Sequence, residues 1–578
     1  MPPDGTAPRS REASWLYHCG LTFAAILGTD WAGFLAETRE IGSMTASDFR
    51  RRTLDRRTSL KLAGAAGVGA LVGGPLAPAT TASTVQTEQE PRRGGTLRVA
   101  LTLEPPTLDL HQTTDIVVVH LMGHVYESLF SWDDEYNPVL HLADRYEVSD
   151  DGLLITVGLR QNVPFHNGEI MAAADVIASI QRWGRVVGLG EGLLAATDEI
   201  VEVDPSTIEF RMNRPFGTFP IAMSRALQGC AIYPKSVLDV SNDTDLDAYI
   251  GTGPYRFVEW LPDQYVALER FDDYASLDAE PLGYSGRKGR YLDRLEFLPV
   301  RDEASRVAGM QTGDYHYLEV VNPDQAPILT DDPSLTVETL PADTWLNIVL
   351  NLESPVLADL NVRRAFQLAL DHEPVMQAAV GEGFYELTPT LLPGAPIWDS
   401  QAGADRFNQN DPAGAEQLLR DAGYDGTPLR FMTTQEIPQE YNATVVIKQQ
   451  LEAVGFIVDL QVYDGATLSD LRNDPAVWEA YTASASFRPD PVLRNLTCSA
   501  AGSWCTPAKD DLLADLQSEA EYETRFPIWE GVQTAFYEEV PRLKIGSINR
   551  IHPRNAKLQG IGPTEIQPDF SNAWFSED

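Results

Sequence analysis

"LADRYEVSDDGLLITVGLRQNVPFHNGEIMAAADVIASIQRW", residues 142–183, decides how the chain is read. Residues 153–160 alternate as a half-buried strand does and end on Leu159 and Arg160. An apolar Val163 follows, then Phe165-His166-Asn167-Gly168, where polar and glycine residues predict a turn. His166 is expected there as a hydrogen-bonded structural histidine. Asp175 and Val176 then open a stretch with helical spacing of apolar side chains. The order is strand, turn, helix.

Other segments extend the mixed pattern. "GGTLRVAL" (94–101) opens an apolar strand, "TLEPPTLDL" (102–110) is a proline-broken loop, and "VVVHLMGHVYESLF" (117–130) has helical spacing throughout. "TIEFRM" (207–212) alternates as a strand. In "NDPAGAEQLLRDAGY", Asp411 is placed to cap a helix, Pro412 to occupy its first position and Gly423 to end it. Residues 442–463 read as a helix to Val454, a stop at Gly455 and a strand from Phe456 to Tyr463. Residues 525–548 read as a helix and then a strand. No repeat of 20–50 residues is visible. The fold class is α/β or α+β, with a partly parallel sheet.

The N-terminal part has a different character. Arg51, Arg52, Arg56 and Arg57 precede a glycine-diluted apolar stretch from Leu60 to Leu76, and Ala77, Ala79 and Ala82 offer a small-residue cleavage site. Arg56-Arg57-Thr58-Ser59-Leu60-Lys61 resembles the twin-arginine export signal. A first helix of the mature domain suits the glycine content badly. Met44 is the expected start, with residues 1–43 a mis-assigned leader. With no cysteine after the apolar stretch, and large residues around Cys19, a lipid anchor is not expected. The mature chain of about 496 residues, from Ser83, is expected to be soluble in the periplasm or at the cell surface.

Forty-four basic against 84 acidic residues give a formal charge of −40, and −42 once residues 1–82 are set aside. Phosphate backbones would be repelled, so nucleic acid is not an expected partner. The acids are interspersed, as on a solvated surface. Only seven of the basic residues are lysines, which suits a salt-rich setting and GC-rich coding equally. Cys498 and Cys505 enclose six residues and can pair in an oxidising compartment. A zinc site would need more cysteine or histidine nearby.

Catalytic signatures are missing: there is no GxSxG elbow, HExxH or CxxC. "GVGALVGG" lies inside the export segment, and Gly251 and Gly253 in "GTGPY" suggest close backbone approach rather than a phosphate loop. His120 and His124 are spaced to share a helix face as a metal pair would, but "HLMGH" has no catalytic glutamate. The reading is therefore no enzyme, no cofactor and no metal, with a secreted hydrolase of unrecognised site as the alternative from another class.

Five segments in order resemble the family 5 solute-binding proteins of ABC importers, the dipeptide, oligopeptide and nickel type. They are residues 142–183; "GTGPYRFVEW" (251–260) with "LERFDDY" (268–274); "LNIVLNLESPVLADLNVRRAFQLALD" (346–371); "FRPDP" (487–491); and the closing helix and strand to Ile548. The resemblance runs from about Gly94 to the C-terminus. It implies two lobes joined by a hinge, with a domain inserted in the first. Residues 1–91 would be leader, signal and linker. Lobe I would combine 92–130, 249–343 and 541–578, the insert would span 131–248, and lobe II would span 344–540. It implies a monomer that captures a peptide or peptide-like solute between its lobes and delivers it to an ABC permease. A non-peptide solute, such as an oligosaccharide, another oxygen-rich ligand or a nickel complex, is the alternative.

In the peptide binders of this family an Asp, in Ala-Asp-Tyr-Pro-Asp-Pro, pairs with the ligand's α-ammonium group. Here Phe487 stands at that position and Arg488 follows. An ammonium anchor is replaced by an aromatic face beside a guanidinium able to hold a carboxylate or carbonyl oxygen. Pairing of Arg488 with a surface acid is the bland alternative. Trp345, Asn347 and Tyr385 are the other residues expected near the ligand.

Overall fold

The computed structural model describes residues 90–113, 115–224, 229–241, 243 and 246–577, except the side chains of 341–343 and 466. The export signal, the Met44 start and the cleavage region lie outside the described residues.

Eleven strands form one mixed sheet. In chain order they are β1 (Thr96–Leu101), β2 (Tyr255–Leu261), β3 (Tyr265–Arg270), β4 (Arg294–Pro299), β5 (Tyr317–Leu318), β6 (Leu335–Leu350), β7 (Tyr385–Glu386), β8 (Leu429–Thr434), β9 (Val458–Tyr463), β10 (Ala480–Ser486) and β11 (Arg542–Asn555). Their spatial order is β9-β8-β10-β6-β11-β5-β1-β4-β3-β2, with β7 also on β11. The two central strands are the longest, 16 and 14 residues. They pair antiparallel from Leu335 opposite Asn555 to Val349 opposite Arg542. One end of this ribbon joins β5, the other joins β10.

Separate apolar cores form along the ribbon. Leu97, Val99, Leu121, Tyr255 and Phe297 centre the first, and Leu346, Ile348, Phe366, Phe431 and Ile447 centre another. The segment between β1 and β2 builds its own four-stranded antiparallel sheet, ordered 143–148, 154–159, 207–212 and 197–204. Its core holds Ile155, Val157, Phe210 and Trp183. This is the expected two-lobed α/β architecture with an insert. We place the second crossing between lobes beyond Ile548 rather than at 541, because Val540, Leu543, Ile545 and Ile548 all pack in the second lobe's core.

Local chemistry sets most helices. The first, α1, covers only Ile116–Met122, not the expected 117–130. Beyond Gly123 the backbone turns to partners far along the chain: His124 and Val125 carbonyls accept from Tyr255 and Gly253, and Glu127 from Ile232. A Cβ on Gly251 or Gly253 would collide with this same backbone, so both glycines do serve close approach. His166 is bound to the same loop: it accepts from the Gly251 N–H at 3.3 Å and donates to the Gly253 carbonyl at 2.9 Å. Helix α2 (Ala173–Val186) covers the small sheet with Val176, Ile180 and Trp183. In the second lobe, α3 (Leu360–Leu368) is capped by Asp359, and α4 (Pro412–Asp421) by Asp411, whose side chain accepts from Gly414. Gly423 and Gly455 take positive φ where α4 and α5 (Pro438–Ala453) end. Helix α6 (Tyr522–Glu539) leads into β11.

Helix α5 buries Glu440 against Ser484, beside the Thr433–Thr444–Thr482 hydroxyls. Burial pushes its carboxyl up to about 7. From about pH 4.5 to 7 the folded chain holds a proton there that the unfolded chain releases, so this group's contribution to stability falls as pH rises through that window. The full effect is roughly 2–4 kcal/mol. Glu440→Gln removes it: urea unfolding should find the variant more stable than wild type at pH 8 and not at pH 4.5. A constant difference at both pH values would refute the assignment.

Candidate functional site

Trp345 and Asn347 lie two apart on β6 and so share one face of the sheet. Ser547 is opposite Trp345, Gly546 opposite Leu346, and Lys544 opposite Asn347. The pairing skips Ile545, which is a β-bulge. Its consequence is specific. Lys544 and Ser547 are three positions apart, and in a regular strand they would point to opposite faces. The extra residue sends Ile545 into the second lobe's core and Lys544 to the Trp345 face.

The loop after β10 supplies the other side. Asp490 accepts two hydrogen bonds from Arg525 on α6, at 2.7 and 2.8 Å, and one from the Val492 N–H. The Arg525 guanidinium lies 4.9 Å from the Trp398 ring centre. This buried, bidentate pair fixes the loop that carries Phe487, Arg488 and Arg494. Phe487 is 4% exposed, its ring 4.7 Å from that of Tyr136 in the segment between β1 and β2. Trp132, Tyr284, Trp345, Trp398 and Trp529 belong to the same aromatic cluster. The cluster joins the two lobes.

Cations surround Trp345. The Arg494 guanidinium carbon lies 5.5 Å from its ring centre and the Lys544 ammonium 5.7 Å, both within cation–π range. Arg494 donates to the Ser486 carbonyl at 2.8 Å, and Lys544 to that of Thr390. Arg488 donates to Phe487 and Ser486 carbonyls, at 2.7 and 3.3 Å. Arg542, further along β11, donates to Ala501. Among the described residues, none of these four cations touches a carboxylate. Burial pulls Arg488 down to about 10. Burial, then Arg488 and Arg542, lower Arg494. Burial and then Arg494 lower Lys544, opposed by the more distant Asp399 and Glu386. The indole N–H of Trp345, Nε and Nη2 of Arg494, Oδ1 of Asn347 and Oγ of Ser547 are buried without a hydrogen-bond partner.

Of the residues expected from sequence, Phe487, Arg488, Trp345 and Asn347 gather on this face. Arg488 turns to backbone carbonyls instead of a surface acid. Tyr385 sits on β7 beside Ile548, but its ring packs against the second lobe's core. Sequence reasoning missed Arg494, Lys544 and Tyr136. A lysine inside the apolar "RLKIGSI" was a usable signal. His120 and His124 do not converge: His120 Nδ1 is 2.8 Å from Glu319, while His124 stacks on Phe570 and accepts its N–H. Among the described residues no cluster of three or more His, Cys, Asp or Glu could hold a metal. A cavity of about 240 Å³ lies elsewhere, lined by Tyr317, Glu338, His552 and Arg554 among others; its Glu338 and Arg554 pair with each other.

Two lobes on a shared ribbon, with unspent polar groups behind an aromatic closure, define a protein that binds a solute at its lobe interface. Residues 137–504 match the model of the bacterial extracellular solute-binding proteins, family 5, and the chain belongs to that family. Its members are solute-binding proteins, not enzymes. The chain is 27% identical over 368 residues to y4tO of Sinorhizobium fredii, described as a peptide ABC transporter periplasmic-binding protein, covering 62% of this chain and 69% of that one. It is 23% identical to the glutathione-binding protein GsiB of Pectobacterium atrosepticum, over 80% and 90% of the two chains. The structure of the oligopeptide-binding protein AppA of Bacillus subtilis, in complex with a nonapeptide, superposes with a TM-score of 0.70 at 22% identity, covering 84% of this chain and all of that one.

A buried ammonium with no carboxylate at contact distance destabilises the fold that contains it. Lys544→Met, of similar volume, should therefore raise the urea unfolding free energy of the ligand-free protein by about 1–3 kcal/mol. A loss of stability would mean that the bond to Thr390 outweighs the desolvation of the charge.

Proposed function

We propose that this chain is the extracytoplasmic solute-binding component of an ABC importer, capturing a peptide or peptide-like solute between its lobes and delivering it to the membrane permease. It works as a monomer and by binding alone. The Tyr136–Phe487 contact carries this reading: a ring from each side meets in the aromatic cluster that includes Trp345, so a solute would reach that cluster when the lobes part and be enclosed when they meet. Trp345, Asn347, Phe487 and Arg488 would contact the solute, and Tyr385 would stand at the edge of the site. The family, and the peptide and glutathione ligands named for relatives, support the substrate range.

Protein isolated from its own host and studied by native mass spectrometry should retain a solute. Added back to refolded protein, that solute should reduce the radius of gyration in small-angle scattering. Phe487→Ala should weaken rebinding roughly 10- to 100-fold, as loss of a central aromatic contact does. Binding without compaction, or at an affinity indifferent to Phe487, contradicts capture at this interface.

Export by the twin-arginine-type signal would deliver the chain to an oxidising compartment. Cys498 and Cys505, with Cα atoms 4.6 Å apart, would be bridged there. Among the described residues no helix is long and apolar enough to cross a membrane. Replacing Arg56 and Arg57 by Lys should hold the precursor in the cytoplasm. Mass-spectrometric mapping of the exported protein should find an N-terminus between Thr80 and Gln89 and no free thiol at Cys498 or Cys505. Retention of Leu60 in the exported form would rule out cleavage.

A further inference from the structure

Resting on the reading of the lobe interface as a solute site, we propose that its ligand is an anion, a solute whose carboxylate, phosphate or comparable oxyanion is held by Arg494 and Lys544 at the Trp345 ring. A free α-ammonium group is not required.

The fold's treatment of its other buried cations carries the argument. Arg182 pairs with Asp109, Lys288 with Asp569, and Arg525 with Asp490. Two others have no carboxylate and turn to several carbonyls, Arg363 to those of Leu357, Ala358 and Glu539, and Arg306 to those of Val300 and Arg301 with its Nε unspent. Arg494 and Lys544 have less. Each makes one bond to a carbonyl, and Arg494 keeps Nε and Nη2 unspent. In a chain with 84 acidic residues, carboxylates are the most abundant charged group, yet none contacts these two among the described residues. The acids that act on Lys544, Asp399 and Glu386, are exposed side chains acting from a distance.

The rest of the face fits the same chemistry. Arg488 and Arg542 add positive potential, and both disfavour the charge on Arg494. The Trp345 ring faces the two cations while its buried N–H remains a free donor. An oxyanion would relieve the repulsion among the cations and satisfy the guanidinium edge with charge-assisted hydrogen bonds. A ligand ammonium would meet four like charges and no carboxylate.

The test uses the mature chain, emptied by unfolding and refolding, in calorimetry at one ionic strength. Probes are sodium succinate, citrate, inorganic phosphate, N-acetyl-trialanine as the free acid and as the amide, and neutral lactose, with sodium chloride as the reference salt. At least one oxyanion should bind ten-fold or more tightly than the neutral probes. Arg494→Gln and Lys544→Met should each weaken it 10- to 100-fold, while Arg420→Gln, an exposed arginine on α4, should leave it unchanged. Carboxylates ahead of phosphate assign the ligand as a carboxylate, and the reverse order assigns a phosphorylated solute. Neutral probes binding as tightly as oxyanions overturn the anion assignment and leave solute binding intact. If no probe binds, the solute retained from the host decides: a neutral or cationic one overturns the proposal, and no retained solute overturns both readings. Should Lys544→Met fail to fold, Arg494→Gln decides alone, since that side chain is only half-buried.

Discussion

The pairing of β6 with β11 is the constraint on which the rest depends. A strand pair of 16 and 14 residues is longer than one small core needs, and its two ends join different sets of strands. Both lobes are thus built outward from one ribbon, and neither is complete without it. The candidate site lies on the same ribbon. Trp345 and Asn347 come from one strand, Lys544 and Ser547 from the other, and the bulge at Ile545 decides which face they meet on. Fold and site share a single set of backbone hydrogen bonds.

The acidic composition gives the cation cluster its meaning. A surface carrying a charge of −40 stays dispersed and solvated. Against that background a group made of the half-buried Arg488, Arg494 and Arg542 and the buried Lys544 is costly to assemble and is not compensated at contact distance by any described carboxylate. The loop bearing two of the arginines is fixed by the Asp490–Arg525 pair, so the cations cannot relax apart by moving that loop freely. One ion pair, fully satisfied, thereby holds other charges in an unsatisfied arrangement.

Much of the fold was legible because its signals are local. Asp411, Pro412 and Gly423 bracket α4 by capping chemistry that neighbouring residues supply, and the alternation at 154–159 and 207–212 marks strands whatever lies opposite. The spacing over 117–130 is helical throughout, but the helix stops at Met122, because Gly251 and Gly253 let a distant backbone take the hydrogen bonds beyond it. Within the site, Phe487 and Arg488 could be found from their position before the Asp490-Pro491 pair. Lys544 could not be placed, since strand alternation predicts its face only if Ile545 is not a bulge. Arg494 was hidden for a similar reason, because its contact with Trp345 exists only in three dimensions.

The break in register between Leu340 and Thr344 has a mechanical consequence. Apart from the single-residue bulge at Ile545, the rest of the ribbon is a regular ladder, stiff against bending in its own plane. Around this break the ladder lacks regular rungs, so compliance concentrates in a few residues of β6 and the strand facing them. The two lobes then act as rigid arms on a short elastic strip. An angular change there is felt close by, because Ser486 pairs with Thr344 at the edge of the break and Phe487, in contact with Tyr136, is the next residue. Where the chain bends is thus set by backbone geometry and not by the chemistry of the solute.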